Sequence, residues 1–149
     1  MSTEIIKAGI EYKREILELV VEFYGIDRKD KRANTLKGCI AEFLNYPKYG
    51  SAFIIKYAGE IVGYVILAFG FSFEYGGRDS FIDEFYIKPE YREKGIGGIA
   101  LDYIIKYART TGIKAIHLEV KEKHKKAERL YIKKGFKEHK NKFMSLTLS

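Results

Sequence analysis

The sequence predicts a single α/β domain over residues 1–149, with about four helices flanking a mixed, mostly antiparallel sheet of about six to seven strands. Three observations lead there. Apolar residues recur at helical spacing through the first third of the chain, the pattern changes at Ser51 to β-branched and aromatic runs, and the last third alternates strand-like with helix-like segments. A length of 149 residues suits one ordinary core, and 46% apolar residues without a Gly/Pro/Ser-rich interruption exclude the composition of a disordered chain.

After a short apolar start at Ile5 and Ile6, Tyr12 to Tyr24 carries Ile16, Leu19, Val20 and Phe23 on one stripe, with Glu11, Glu15, Glu18 and Glu22 largely opposite. This predicts an amphipathic helix. The charged stretch Asp27 to Arg32 leads into a second helix bearing Leu36, Ile40, Phe43 and Leu44, which Pro47 ends because it lacks an N–H and its ring blocks the preceding turn. Ala52 to Tyr57 and Ile61 to Phe71, joined by Ala58-Gly59-Glu60, predict an antiparallel hairpin. A loop, Glu74 to Asp79, precedes a third strand from Ser80 to Ile87, which stops at Lys88-Pro89. A Gly-rich turn then opens a helix from about Gly97 to Thr111, with Gly112 as its breaker. The strand Ala115 to Val120, a short helix from Lys125 to Lys134 ended by Gly135, and strand-like Phe136 to His139 and Lys142 to Leu148 complete the order.

The single cysteine, Cys39, cannot form an internal disulfide, and no basic-apolar-small leader follows Met1, so a reducing, cytoplasmic setting is expected. The longest apolar run, Ile61 to Phe71, is interrupted by Gly63 and Gly70 and falls well short of the roughly 20 residues of a membrane helix. Twenty-seven Lys and Arg against 20 Asp and Glu leave a net charge of +7, which favours an anionic ligand without choosing between nucleic acid, an acidic membrane and a small polyphosphate.

A motif makes that choice. Arg92-Glu93-Lys94-Gly95-Ile96-Gly97 joins a strand directly to a helix, where free main-chain amides and the positive end of the helix dipole suit phosphate and two basic side chains add charge. A Walker loop would end in Gly-Lys-Ser/Thr, and a dinucleotide loop would need another glycine and a parallel strand ending in an acid; neither is present.

The stretch Phe81 to Gly97, FIDEFYIKPEYREKGIG, resembles the acetyl-coenzyme A signature of the GNAT N-acetyltransferase superfamily, and His117 to Phe136, HLEVKEKHKKAERLYIKKGF, resembles its later motif. The resemblance implies an acetyltransferase with acetyl-CoA as cofactor and coenzyme A as product. It places the pyrophosphate on Arg92, Glu93, Lys94, Gly95, Ile96, Gly97 and Gly98, and the pantetheine arm beside Phe85, Tyr86 and Ile87 in a gap between splayed central strands. His124 stands where the family usually has Asn; Ala127 and Tyr131 keep the pattern.

An alkylamine with a pKa of about 10.4 must lose a proton before it attacks a thioester, so a base or water chain is required. Asp83 and Glu84 lie on the strand that the resemblance brings to the reaction centre, and regular alternation would send them to opposite faces. Matching strands of diamine and sugar-amine acetyltransferases favour Asp83, while a water-mediated role for Glu84 stays open because splaying or a bulge can re-aim either side chain; either carboxylate could instead pair with Arg78 or a lysine. Tyr131 is the candidate acid for the departing thiolate, against the plainer role of a packed core tyrosine.

Other conspicuous residues take ordinary roles: His117 as packing or surface, Lys121 to Lys126 as a solvated face, and Phe69, Phe71, Phe73 and Tyr75 as core and hairpin surface with an acceptor-lining role as the alternative. No His, Cys or carboxylate spacing suits a metal. The function expected is transfer of an acetyl group to a small-molecule or protein primary amine; the alternative is a catalytically silent acyl-CoA-binding, regulatory module. Signatures of a specific nucleic-acid binder are absent. Acceptor contacts are expected from the first two helices and the Phe71 to Asp79 loop, with Glu22 and Tyr24 nominated, and open sheet edges allow a homodimer.

Overall fold

A computed structural model describes residues 2–149; Met1, on which the leader expectation rests, lies outside them. The chain forms two compact units, Met1–Glu119 and Val120–Ser149. The larger unit holds five strands and three α-helices: β1 (Thr3–Ala8), α1 (Lys13–Tyr24), α2 (Lys31–Asn45), β2 (Gly50–Tyr57), β3 (Glu60–Ser72), β4 (Gly77–Ile87), α3 (Ile96–Thr110) and β5 (Ile116–His117). The smaller unit contains α4 (Lys125–Lys133). The fold class is the mixed, mostly antiparallel α/β arrangement expected, with five strands in place of six to seven.

The sheet order is β1-β2-β3-β4-β5, antiparallel throughout except for the parallel pair β4 and β5. Because β2 alternates Ala52 and Ile54 with Ser51 and Phe53, its two faces bury different helices. Ala52 and Ile54 pack with Ile16, Leu19 and Val20 of α1, and Leu36 and Ile40 of α2 close over them. On the opposite face Phe53 meets the rings of Tyr103 and Tyr107 of α3, with Ser51 Oγ 2.8 Å from the Tyr107 hydroxyl. β2 is thereby covered on both faces, which explains why its sequence is apolar at successive positions.

The observed elements depart from the expected ones in informative places. β1 was visible only as Ile5 and Ile6; it becomes a strand by pairing with β2, Ile5 opposite Ile55 and Ile6 opposite Ile54. The strand expected from Ala115 to Val120 shortens to Ile116–His117, and its ladder on β4 ends at the pair Phe81 and His117. Opposite β3, Ile66 faces Glu84 while Leu67 faces Ile82, so Asp83 is an extra residue in β4. Such a bulge bends a strand and increases its twist. The parallel ladder ends at Phe81, so Ile82 to Ile87 have no paired strand on that side among the described residues.

The segments 136–139 and 142–148 are not strands. Period-two alternation is insufficient by itself, because an extended segment needs a neighbour for its N–H and C=O groups and the smaller unit offers none. Phe143 and Leu148 are instead exposed. Among the described residues, no helix is long and apolar enough to cross a membrane.

Candidate active site

The bulge at Asp83 corrects the expectation that Asp83 and Glu84 face opposite ways: both line one cavity of about 330 Å³ between α1, α2 and the sheet. Half-buried Glu84 accepts a hydrogen bond on Oε1 from the Tyr64 hydroxyl at 2.7 Å and another on Oε2 from the Tyr24 hydroxyl. Burial raises its pKa above the ordinary carboxylate range; the two phenols, which stabilise the anion, pull it down, and the charge of Asp83 pushes it up. The same proximity, after burial, holds the Tyr24 and Tyr64 phenols protonated, both pKa values being raised.

Asp83 is exposed at the cavity and makes no hydrogen bond or ion pair among the described residues; Arg78, its alternative partner, donates to the Thr111 carbonyl at 2.9 Å and lies over the Phe69 ring. The rest of the wall is largely apolar, including Ile16 and Val20 of α1, Ile40 and Phe43 of α2, and Ile66 and Ala68 of β3. Tyr24 belongs to this wall. Glu22 does not: it accepts from the Tyr86 hydroxyl at 2.6 Å and lies 3.6 Å from Lys88 Nζ. Burial and that bond push the Tyr86 phenol up to about 12. Phe71, Phe73 and Tyr75 lie outside the cavity; Phe71 pairs with Phe73, and Tyr75 meets the His117 ring at a tilt of 59°, with His117 Nε2 3.0 Å from Asp79 Oδ2.

Beyond β4, the chain makes a tight turn into α3. Glu93 and Gly95 both take left-handed backbone angles, with φ of 61° and 80°, and the first main-chain bond of the helix runs from Ile99 N to Gly95 O. The amides of Ile96, Gly97 and Gly98 precede it, in the first helical turn where intrahelical acceptors are absent. Glycine suits position 95 because an L side chain there is strained. Arg92 turns back over the Tyr86 ring and donates from Nε to the Ile87 carbonyl at 2.8 Å, tying the loop to the end of β4. This arrangement of amides and cationic side chains fits a diphosphate.

Within the smaller unit, His124 caps the start of α4 through its carbonyl, which accepts from Glu128 N at 3.1 Å. Ala127 and Tyr131 follow at helical spacing on α4. The Tyr131 ring meets Phe136 edge-on at 5.8 Å, and burial raises its phenol pKa.

The model of the Acetyltransferase (GNAT) family matches residues 14–136. This chain belongs to the GNAT family. It is 34% identical over 71 residues to a thialysine N-epsilon-acetyltransferase of Bos taurus, a match covering 48% of this chain and 41% of that protein. The GNAT chain spans about half the length of the curated relatives it matches. Among solved structures, an integron cassette protein from the mobile metagenome of Cole Harbour Salt Marsh superposes with a TM-score of 0.85 at 28% identity, over 97% of this chain and 90% of that one. A predicted acetyltransferase from Clostridium acetobutylicum, solved with acetyl-CoA, shares the fold with a TM-score of 0.76 at 19% identity, over 98% and 96% of the two chains.

In this GNAT chain, sequence reasoning missed Tyr64 and the contribution of Cys39 and Ile40 to the cavity. The Tyr64 to Glu84 bond spans 20 positions and depends on the register of β3 against β4, for which the sequence carries no local mark. Ile40 was legible as a core-facing residue of α2, and only the packing of α2 over the sheet turns that stripe into a wall.

Proposed function

We propose that the chain is one acetyltransferase domain that moves the acetyl group of acetyl-CoA to a primary amine by direct attack. The observation that carries this reading is the pair Asp83 and Glu84, brought to one cavity by a bulge in the strand that leads into the anion-binding turn. The GNAT fold shared with a protein solved with acetyl-CoA supports the choice of cofactor.

Arg92, Lys94 and the amides from Gly95 to Gly98 would hold the diphosphate, with Glu93 shaping the turn and Ile96 anchoring it in the core. Main-chain groups of Phe85, Tyr86 and Ile87 that face away from β3 would hold the pantetheine arm. When bound, acetyl-CoA supplies an activated acyl group on sulfur. Asp83 attracts the acceptor ammonium, and Glu84 takes its proton, because burial makes this carboxylate a stronger base than an exposed one. Within the smaller unit, Tyr131, whose pKa burial raises, keeps its phenolic proton at neutral pH and is proposed as the acid for the departing sulfur, with His124 and Ala127 of α4 proposed as cofactor residues by their match to the family pattern.

Calorimetry with acetyl-CoA, followed by coenzyme A release with a panel of amines, tests the proposal. Micromolar binding, about 8 kcal/mol, and amine-dependent release are expected. Binding without release from any amine would identify a silent acyl-CoA module instead. Tyr131→Phe is expected to lower turnover about a hundredfold while leaving coenzyme affinity within a fewfold; unchanged turnover removes Tyr131 from the acid role.

A further inference from the structure

The chemistry of the cavity narrows the acceptor. Two carboxylates, Asp83 and Glu84, share its polar end, and no lysine or arginine lines it among the described residues. Both Glu84 oxygens already accept phenol hydrogen bonds, whereas Asp83 has no such partner among the described residues. Two neighbouring acids without a protein cation attract positive charge, and Asp83, whose oxygens are not engaged by phenols, is the one open to hold an ammonium directly. The rest of the wall is mostly apolar and includes Ile16, Val20, Ile40, Phe43, Ile66 and Ala68. The Tyr49 hydroxyl, also on the wall, already donates to Glu42 at 3.1 Å. A second ammonium or a set of sugar hydroxyls placed along this wall would lose water and find few partners beyond the tyrosine oxygens.

We infer that the acceptor is a primary amine carried on a compact apolar body, an alkylamine or aralkylamine, rather than a polyamine or an aminoglycoside. The inference rests on the acetyltransferase reading for its chemistry and on the cavity alone for its class. At about 330 Å³ the cavity lies at the small end of the range that holds small-molecule ligands. The ammonium sits at Asp83 and the apolar body lies between α1, α2 and β3. In the transfer, the ammonium would first give one proton to Glu84; the neutral amine nitrogen would then form the bond to the acetyl carbon as the carbon–sulfur bond breaks, coenzyme A would leave with the sulfur electron pair, and the second nitrogen proton would pass to that sulfur to give the free thiol.

The test compares 2-phenylethylamine and n-hexylamine with spermidine, kanamycin and a peptide bearing a free N-terminus, measuring coenzyme A release by mass spectrometry. Cys39, the one cysteine of the chain, is exposed and also lines the cavity, so it adds a readout that needs no turnover: an occupied cavity is expected to slow its alkylation. The apolar amines are expected to show kcat/KM at least tenfold above the other three and to protect Cys39. Ala68→Leu, which fills the cavity, is expected to move the preference toward shorter amines by about tenfold per methylene, and Ile40→Ala to move it toward longer ones. Release driven best by spermidine, kanamycin or the peptide overturns the apolar class and leaves the acetyltransferase reading standing. Protection of Cys39 by 2-phenylethylamine, lost in Asp83→Asn, with no release from any amine, upholds the ligand class and removes the transferase reading. Neither release nor protection overturns both.

Discussion

Glu84 is subject to opposing influences on its proton: burial and the charge of Asp83 favour the neutral acid, while the Tyr24 and Tyr64 hydroxyls favour the anion. The balance raises its pKa in the folded chain. A carboxyl group with a raised folded pKa contributes stability that is fully present below its unfolded pKa of about 4.3 and is lost as pH rises through the folded value. Above that folded value the ionised group therefore works against the fold. Glu84→Gln keeps the shape and can still accept from one phenol and donate to the other, so it is expected to raise Tm above wild type at pH 7.5 and to lose that advantage at pH 4. Thermal unfolding followed by circular dichroism checks the sign; a lower Tm at pH 7.5 would show that the two tyrosines outweigh burial. The same variant is expected to lower turnover by about 10² to 10⁴ and to abolish the rise of kcat/KM as pH climbs through the Glu84 ionisation. Asp83→Asn, which removes the anchoring charge and leaves the proton acceptor, is expected to raise KM for the amine about tenfold with a smaller change in kcat.

At the level of elements, the site depends on how closely β3 approaches β4. A Cβ built on Gly63 would lie 2.2 Å from the Tyr86 carbonyl oxygen and 3.1 Å from Ile87 Cα, main-chain atoms that cannot move without opening the ladder. Gly63→Ala is expected to destabilise the fold by about 1–3 kcal/mol, the usual range for forced overpacking, seen as a lower urea midpoint at unchanged slope. It should also weaken acetyl-CoA binding, since Tyr86 and Ile87 belong to the proposed pantetheine strand. The helices, the hairpin of β2 and β3, and the turn into α3 were legible because each writes its own local pattern: a stripe of Ile16, Leu19 and Val20, a run of β-branched residues, a pair of glycines before a helix. The bulge at Asp83 was not, because Phe81-Ile-Asp-Glu reads as regular alternation and the extra residue exists only in the register against Ile66 and Leu67. Tyr64 and Ile40 were hidden for the same reason, their roles arising from partners distant in sequence. The strand-like stretches Phe136 to His139 and Lys142 to Leu148 misled in the other direction, since a local pattern does not supply the neighbour that an extended segment needs.

For the whole molecule, the net charge of +7 draws many anions, and the question is whether a diphosphate binds a built site or a diffuse field. Diffuse binding is uncorrelated with any one residue and falls steeply with salt. Gly97 separates the two, because it sits in the first turn of α3, where an added carboxylate favours the helix dipole and opposes a bound anion. Gly97→Asp is therefore expected to leave Tm unchanged or slightly higher while raising the acetyl-CoA Kd at least tenfold, about 1.4 kcal/mol. Its weak association with duplex DNA should change only as much as the loss of one unit of net charge requires, and should vanish with salt as in the wild type. Calorimetry at two salt concentrations measures both ligands on the same protein. A variant that binds acetyl-CoA as tightly as wild type would place the diphosphate elsewhere and remove the turn from Arg92 to Gly98 from the cofactor site.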